Sequence, residues 1–288
     1  MTGNLCEMPD DLKETEHVPR DEMIEPFISD TMPVKMPVDS RQVKNTEDSL
    51  SVESTGDIRS VEGTGNLRSV EESEEPHLVM EPEGLTLVSG GLSIRGDFTR
   101  MQKRIRPDSL SRELLVRAAR IKDPEAGKNA VDATAGLGED SFLLAAAGWN
   151  VWMCEFDSVI AELLNDAMKR AAEVPALAEI IARMKLLKGD SRELLPNLPF
   201  RPDIILLDPM FPERQKSSLV KKKAQLLQKL EKPCTDETGL LSAAMKASPR
   251  RIIIKRPIKG PYLAGVKPDY LISGKTVRYD CITTLNMK

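Results

Sequence analysis

The chain has 288 residues, room for one large domain or two small ones, and 30% of them are charged around a net charge of −4. Its only histidines are His17 and His77, which leaves the remaining body without an imidazole for a catalytic triad, a proton shuttle or a His-containing zinc site. Cys6, Cys154, Cys234 and Cys281 are far apart and form no CxxC pair, so reduced thiols in a cytoplasmic protein are expected, and no metal.

Charge is unevenly placed. Residues 1–88 hold 7 Lys/Arg against 21 Asp/Glu and residues 89–288 hold 34 against 24, so a stretch of −14 precedes a body of +10. A basic body favours a polyanionic partner, whose phosphates attract Lys and Arg and release counterions, although a solvated surface is also compatible with it. Residues 1–77 are acidic, rich in Ser, Thr, Glu and Pro, and nearly free of aromatics, the composition of a disordered leader. Within them a nine-residue unit runs from Ser51 to Arg59, recurs from Ser60 to Arg68, and decays after Ser69-Val70-Glu71. Units so short and polar cannot bury a core, so a low-complexity linker is expected. No basic start followed by an apolar run marks a secretory signal. The longest apolar stretch, Phe142 to Cys154, is interrupted by Gly148 and Asn150 and is too short to span a bilayer.

Order is expected from Leu78. Leu85-Thr86-Leu87-Val88 and Leu92-Ser93-Ile94 flank Ser89-Gly90-Gly91 as a hairpin, and a helix capped by Ser109 or Ser111 runs to about Ile121, so residues 78–122 form a small N-terminal segment. From 123 to 288 strands and helices alternate. Strands are predicted at Ala130–Asp132, Val151–Glu155, Lys185–Lys188, Asp203–Leu207 and Arg251–Lys255. Helices fall between them: one ending at Ala147, a long one from Ser158 to about Met184 with a possible break at Pro175, a turn at Arg192–Leu195, and two between Ser217 and Ala247. Asp269–Ile272 and Val277–Thr284 close the sheet as a pair. Such alternation requires an α/β fold, a mostly parallel sheet with helices on both faces, which binds ligands at the C-terminal strand edge.

Two motifs fall at that edge. After the first strand, Asp132-Ala133-Thr134-Ala135-Gly136-Leu137-Gly138-Glu139-Asp140 supplies a turn in which Gly136 and Gly138 let the backbone approach a nucleotide-like cofactor. Ser141 stands where a dinucleotide fingerprint wants a third glycine, and no Gly-Lys-Ser/Thr of a P-loop follows. Glu155 lies 17 residues past Gly138, near the spacing for a carboxylate that grips ribose hydroxyls. Asp190 and Ser191 offer an acid and a hydroxyl after the third strand. A structural alternative is open for two acids, since Asp157 and Asp190 can each cap the helix that follows.

The second motif is Asp208-Pro209-Met210-Phe211-Pro212 at the end of Ile204-Ile205-Leu206-Leu207. Transfer of a methyl group to an aromatic amine needs orientation more than proton chemistry, because the lone pair is delocalised into the ring. The Asp208 carboxylate and the Pro209 carbonyl can accept the two N–H groups, and Phe211 can stack on the base. No histidine is required. The plainer reading is a strand-ending turn with Phe211 in the core. Basic residues crowd the sequence nearby: Lys216, Lys221 and Lys222 follow the motif, and Arg251, Lys255 and Arg256 lie on the fifth strand, all assigned to phosphate contacts with RNA.

From Val131 to about Ile282 the chain resembles the bacterial small-subunit ribosomal RNA guanine-N2 methyltransferases of the RsmJ family. The likeness rests on Asp-Ala-Thr-Ala-Gly-Leu-Gly-x-Asp at 132–140, Leu-Asp-Pro-Met-Phe-Pro at 207–212, Gln215-Lys216-Ser217 with Leu219-Val220-Lys221-Lys222, and Lys255-Arg256-Pro257. The resemblance implies a Rossmann-like class I methyltransferase with a seven-stranded sheet, S-adenosylmethionine as donor, and 16S rRNA or the small subunit as partner. It places cofactor contacts at Glu139, Asp140, Glu155, Phe156, Asp190, Ser191 and Asp208. Methylation of DNA adenine, a protein amide or a small amine shares the same pocket logic. A scaffold that binds RNA without cofactor is the non-enzymatic alternative, and carbon methylation through Cys234 is disfavoured because that residue does not follow the fourth strand.

Overall fold

The computed structural model describes residues 75–122, 127–209 and 236–284. The acidic repeats, Phe211, Lys216, Lys221, Lys222 and Cys234 lie outside the described residues. The central sheet contains β4 (Asn129–Asp132), β5 (Asn150–Glu155), β6 (Met184–Lys188), β7 (Ile204–Leu207), β8 (Arg251–Pro257), β9 (Tyr270–Ser273) and β10 (Val277–Thr283). Its order is β6-β5-β4-β7-β8-β10-β9. The first five strands in that order pair parallel, and β10 pairs antiparallel with both β8 and β9.

This order explains how motifs 76 residues apart meet. The chain leaves β4 in one direction to lay down β5 and β6, then returns to place β7 on the other flank of β4. Asp132 pairs with Leu206 in register, so the turns after β4 and β7 emerge side by side at the sheet's switch point. Every residue of β7 is buried, as a central strand covered on both faces must be. Its side chains alternate between two cores. Ile204 and Leu206 join Phe142, Leu143, Met153 and Leu164, whereas Ile205 and Leu207 join Leu240, Leu241, Ile252 and Ile254.

The helices supply those two layers. Helices α3 (Glu139–Ala146), α4 (Ser158–Ala172) and α5 (Pro175–Ile181) contribute to the first core, and α6 (Ser191–Leu194) precedes Leu195, which joins the second with α7 (Glu237–Lys246). The long helix expected from Ser158 does break at Pro175, which starts α5 as its first helical residue behind an extended Val174. Among the described residues no helix is long and apolar enough to cross a membrane.

The N-terminal segment holds one strand more than its sequence pattern announces. β2 (Gly84–Ser89) and β3 (Leu92–Ile94) form the expected hairpin, and β1 (His77–Glu81) adds to β2 antiparallel. β1 has no buried residue, so no alternation betrays it; its pairing with β2 alone makes it a strand. The single helix expected up to Ile121 is instead α1 (Pro107–Leu110) and α2 (Leu114–Ala118). Pro107 starts α1, and Glu113, non-helical at ψ 129°, precedes α2 while its carboxylate takes a two-pronged bond from Arg104 at 2.8 and 3.0 Å. Ser111 closes α1 and caps no helix start. The segment is continuous with the main core: Phe98 stacks on Phe142 at 4.8 Å, Met101 and Leu115 are buried beside it, and Leu87 and Ile94 pack on Leu163 of α4.

Candidate active site

The turn after β4 is built by glycines and a buried acid. Gly136 and Gly138 have φ of 54° and 77°, the left-handed region that favours glycine, and Gly138 is the N-cap of α3. A Cβ on Gly138 would lie 2.7 Å from Leu164 Cδ1 and 3.2 Å from the Phe98 ring, so this position also allows two core elements to approach. Beneath the turn Asp132 is buried and accepts the Ser141 hydroxyl at 2.6 Å and the Thr134 N–H at 3.2 Å. Burial pushes its pKa up to about 7, with Asp140 and Asp208 adding to the rise and the Ser141 and Thr134 bonds opposing it. Ser141 therefore replaces the third glycine of a dinucleotide site with a hydroxyl committed to Asp132.

Hydrogen bonds tie the turn to its neighbours. Glu155, at the end of β5, accepts the Gly136 N–H at 2.8 Å through one oxygen and the Asp157 N–H at 2.9 Å through the other. It is buried, and burial raises its pKa. Phe156, the next residue, is 75% exposed and offers a free aromatic face at this edge. Asp157 caps α4 by accepting the Val159 and Ile160 N–H groups. Asp190 likewise caps α6 through the Arg192 N–H, and the Arg192 guanidinium beside it holds its carboxyl below the usual range. Ser191 is buried at the first position of that helix.

The turn after β7 completes the edge. The Asp208 N–H donates to the Thr134 hydroxyl at 2.7 Å, a direct bond between the two motifs. Asp208 is half-buried and Pro209 buried. Burial raises the Asp208 pKa, and Lys255 opposes the rise. Lys255, on β8, places its Nζ 2.8 Å from Asp208 Oδ2 and 2.6 Å from Asp140 Oδ2. Burial alone would lower the lysine's pKa, but the two carboxylates outweigh it and raise it. Buried Cys154 is no nucleophile here, because desolvation, followed by Asp132 and Glu155, pushes its thiol up to about 12.

Comparison with known proteins matches this arrangement. Residues 64–284 fit the family model described as "Putative SAM-dependent methyltransferase". The chain is 42% identical over 215 residues to ribosomal RNA small subunit methyltransferase J of Thioalkalivibrio sulfidiphilus, covering 72% of this chain and 84% of that one. The chain belongs to this SAM-dependent methyltransferase family. The protein of the same name from Pseudomonas fluorescens is 46% identical over 151 residues, a stretch covering 52% of this chain and 58% of that relative. A solved SAM-dependent methyltransferase from Neisseria gonorrhoeae, 29% identical, superposes with a TM-score of 0.58 over 76% of this chain and 86% of its own.

The residues present suit the cofactor of such a methyltransferase. S-adenosylmethionine presents hydroxyl and amine donors, a flat ring, a carboxylate and a cationic sulfonium. The edge answers with acceptors on Glu155 and Asp190, the exposed Phe156 ring, N–H groups in the first turn of α3, and the acids Asp140 and Asp208. Glu139 is exposed, with Arg104 3.9 Å away at the rim.

The basic residues read from sequence as one RNA surface are not brought together. Arg251 begins β8 at the opposite edge of the sheet, where it donates to the Ala118 and Arg120 carbonyls at 2.5 and 2.9 Å and lies over the Tyr270 ring. Arg256 is 1% exposed and donates to the Pro261 carbonyl at 2.8 Å, with Glu237 3.5 Å away. Lys255 points into the acidic edge. Arg251 and Lys255, four residues apart, share one face of β8 near its opposite ends, and Arg256 lies on the other face. Thr134 and Ser141 went unrecognised in the sequence; hydroxyls spaced two and nine residues from a strand-ending acid were the only signal.

Proposed function

We propose that this protein transfers a methyl group to the exocyclic N2 amine of a guanine in small-subunit ribosomal RNA, acting in the cytoplasm where that RNA is assembled. The observation that carries the reading is Asp208, an acceptor on the turn beside the cofactor loop, bonded through its N–H to Thr134. S-adenosylmethionine, when bound, supplies a sulfonium methyl whose carbon–sulfur bond breaks as the nitrogen–carbon bond forms, the electron pair staying on sulfur. The chain's task is orientation. Asp208 accepts one N–H of the amine and the Pro209 carbonyl the other, which turns the nitrogen lone pair toward the incoming carbon. As the bond forms the nitrogen becomes cationic, and the adjacent carboxylate stabilises that charge until the surplus proton leaves to water.

Guanine fits this acceptor because its N1–H and N2 amine present neighbouring donors along one edge. Docking of the RNA falls to other cations than Arg251 and Arg256. Lys103 and Arg106, which flank Arg104 at the rim of the site, and Arg112, beside the Glu113 that Arg104 bonds, are exposed and suit phosphate contacts that position without reading sequence. The test is mass-spectrometric mapping of small-subunit RNA from cells with and without the gene. Loss of one N2-methylguanine on deletion supports the proposal. An unchanged methylation pattern, with methyl transfer to DNA or a small amine instead, defeats it.

A further inference from the structure

Lys255 is committed to the acidic edge of the site. It projects from β8 opposite Tyr279 of β10, and its Nζ lies 2.6 Å from Asp140 on the first turn of α3 and 2.8 Å from Asp208 on the turn after β7. Two carboxylate oxygens touching one ammonium are no farther apart than the sum of those distances, and without the cation they would repel across a poorly hydrated gap. The charged and titratable groups facing Asp208 are Asp132 on β4, Asp140 on α3, Lys255 and Arg256 on β8, and Tyr279 on β10, with Arg104 and Glu139 at the rim. Arg256 is turned toward Pro261 and Glu237, and Arg104 toward Glu113. Among the described residues Lys255 is therefore the cation that touches Asp208.

We propose that Lys255 is a positioning residue: by bridging Asp140 and Asp208 it holds Asp208 as an ionised, correctly aimed acceptor for the substrate amine and fixes that acceptor to the cofactor loop. The inference rests on the proposed role of Asp208 in methyl transfer, and it adds a dependence of that role on one ammonium. A protonated Asp208 would keep one acceptor oxygen but lose the negative charge that strengthens the bond from the amine and stabilises the cationic nitrogen formed in transfer. Lys255→Met leaves Asp140 and Asp208 facing each other, so one of them takes up a proton at higher pH than in the native protein. Lys255→Arg keeps the charge. Asp140→Asn in the Lys255→Met background removes the repulsion.

The experiment follows the rate of methyl transfer against pH for the native protein, Lys255→Met, Lys255→Arg and Asp140→Asn/Lys255→Met. Carbon-13 carboxyl NMR of the cofactor-free proteins accompanies it, with the Asp208 signal assigned through Asp208→Asn. The acidic limb of Lys255→Met should move to higher pH by about one unit or more, the size of an opposite charge removed at contact distance. The arginine variant should stay with the native protein, and the double variant should move back toward it. The Asp208 carboxyl should show the same displacement by NMR. A Lys255→Met profile that keeps its position and only loses height makes the lysine a tie between α3 and β8, and overturns the proposal, as does an Asp208 signal that titrates unchanged. Absence of transfer by the native protein to any RNA would sink the functional reading instead, while the NMR titration still decides the role of Lys255.

Discussion

Asp132→Asn isolates the buried acid under the cofactor turn. In the native protein one carboxylate oxygen takes the Thr134 N–H and the other the Ser141 hydroxyl. An asparagine can keep both contacts, its oxygen accepting from Thr134 and its amide donating to the Ser141 oxygen. The variant is thus nearly isosteric but cannot ionise. Burial, reinforced by Asp140 and Asp208, raises the native pKa from 3.8 to about 7, so between those values the folded state holds a proton the unfolded state has released. For such a group the stabilising contribution is complete below the unfolded pKa and is lost as pH rises through the folded one. Three pH units at roughly 1.4 kcal/mol each come to about 4 kcal/mol lost between pH 4 and 7, and little more above. Chemical denaturation of both proteins from pH 4 to 8 measures this. Glu155 and Asp208, also raised, contribute to both proteins and largely cancel in the difference. The advantage of Asp132→Asn should widen by about that amount across the window and then level off. A difference that stays constant with pH refutes the buried-proton account.

Other expectations follow from single contacts. Thr134→Val removes the acceptor of the Asp208 N–H and should cost about 1–3 kcal/mol of stability, read by urea denaturation, with transfer slowed because the two turns lose their direct bond. Gly138→Ala combines a left-handed backbone with a 2.7 Å approach to Leu164 and should destabilise the fold by about 2 kcal/mol or more while weakening cofactor binding, measured by calorimetry with S-adenosylhomocysteine. Phe156→Ala removes an exposed ring, so the melting temperature should hold while S-adenosylhomocysteine binds several-fold more weakly. A Lys103→Glu/Arg106→Glu pair should raise KM for RNA and flatten its salt dependence, with affinity for cofactor unchanged.

The sequence was most legible where backbone periodicity and glycine geometry leave few options. The five parallel strands were bounded to within two residues at either end, because their apolar runs must be buried on both faces and turn residues end them sharply. Gly136, Glu155 and Asp208 met at one edge because a sheet with a switch point after its first strand allows no other arrangement. β1 escaped notice since its residues lie exposed on an edge. The break between α1 and α2 escaped because Ser111, Arg112 and Glu113 carry no proline or glycine to announce it. The basic residues show the sharpest limit. Nothing in Arg251, Lys255 and Arg256 as letters says that one anchors the far edge, one bridges two acids and one is buried against a carbonyl. Asp190 showed both of its readings in the sequence, and the capping bond is the one the structure displays.

The most direct measurement of the whole account is transfer of labelled methyl from S-adenosylmethionine to unmodified small-subunit RNA, with the native protein and Asp208→Ala compared. The native protein should place label on the N2 amine of one guanine. The variant should remain folded and transfer at least a hundredfold more slowly, on the order of the loss seen when one preorganised transition-state contact is removed. Transfer by Asp208→Ala at the native rate would contradict the central claim.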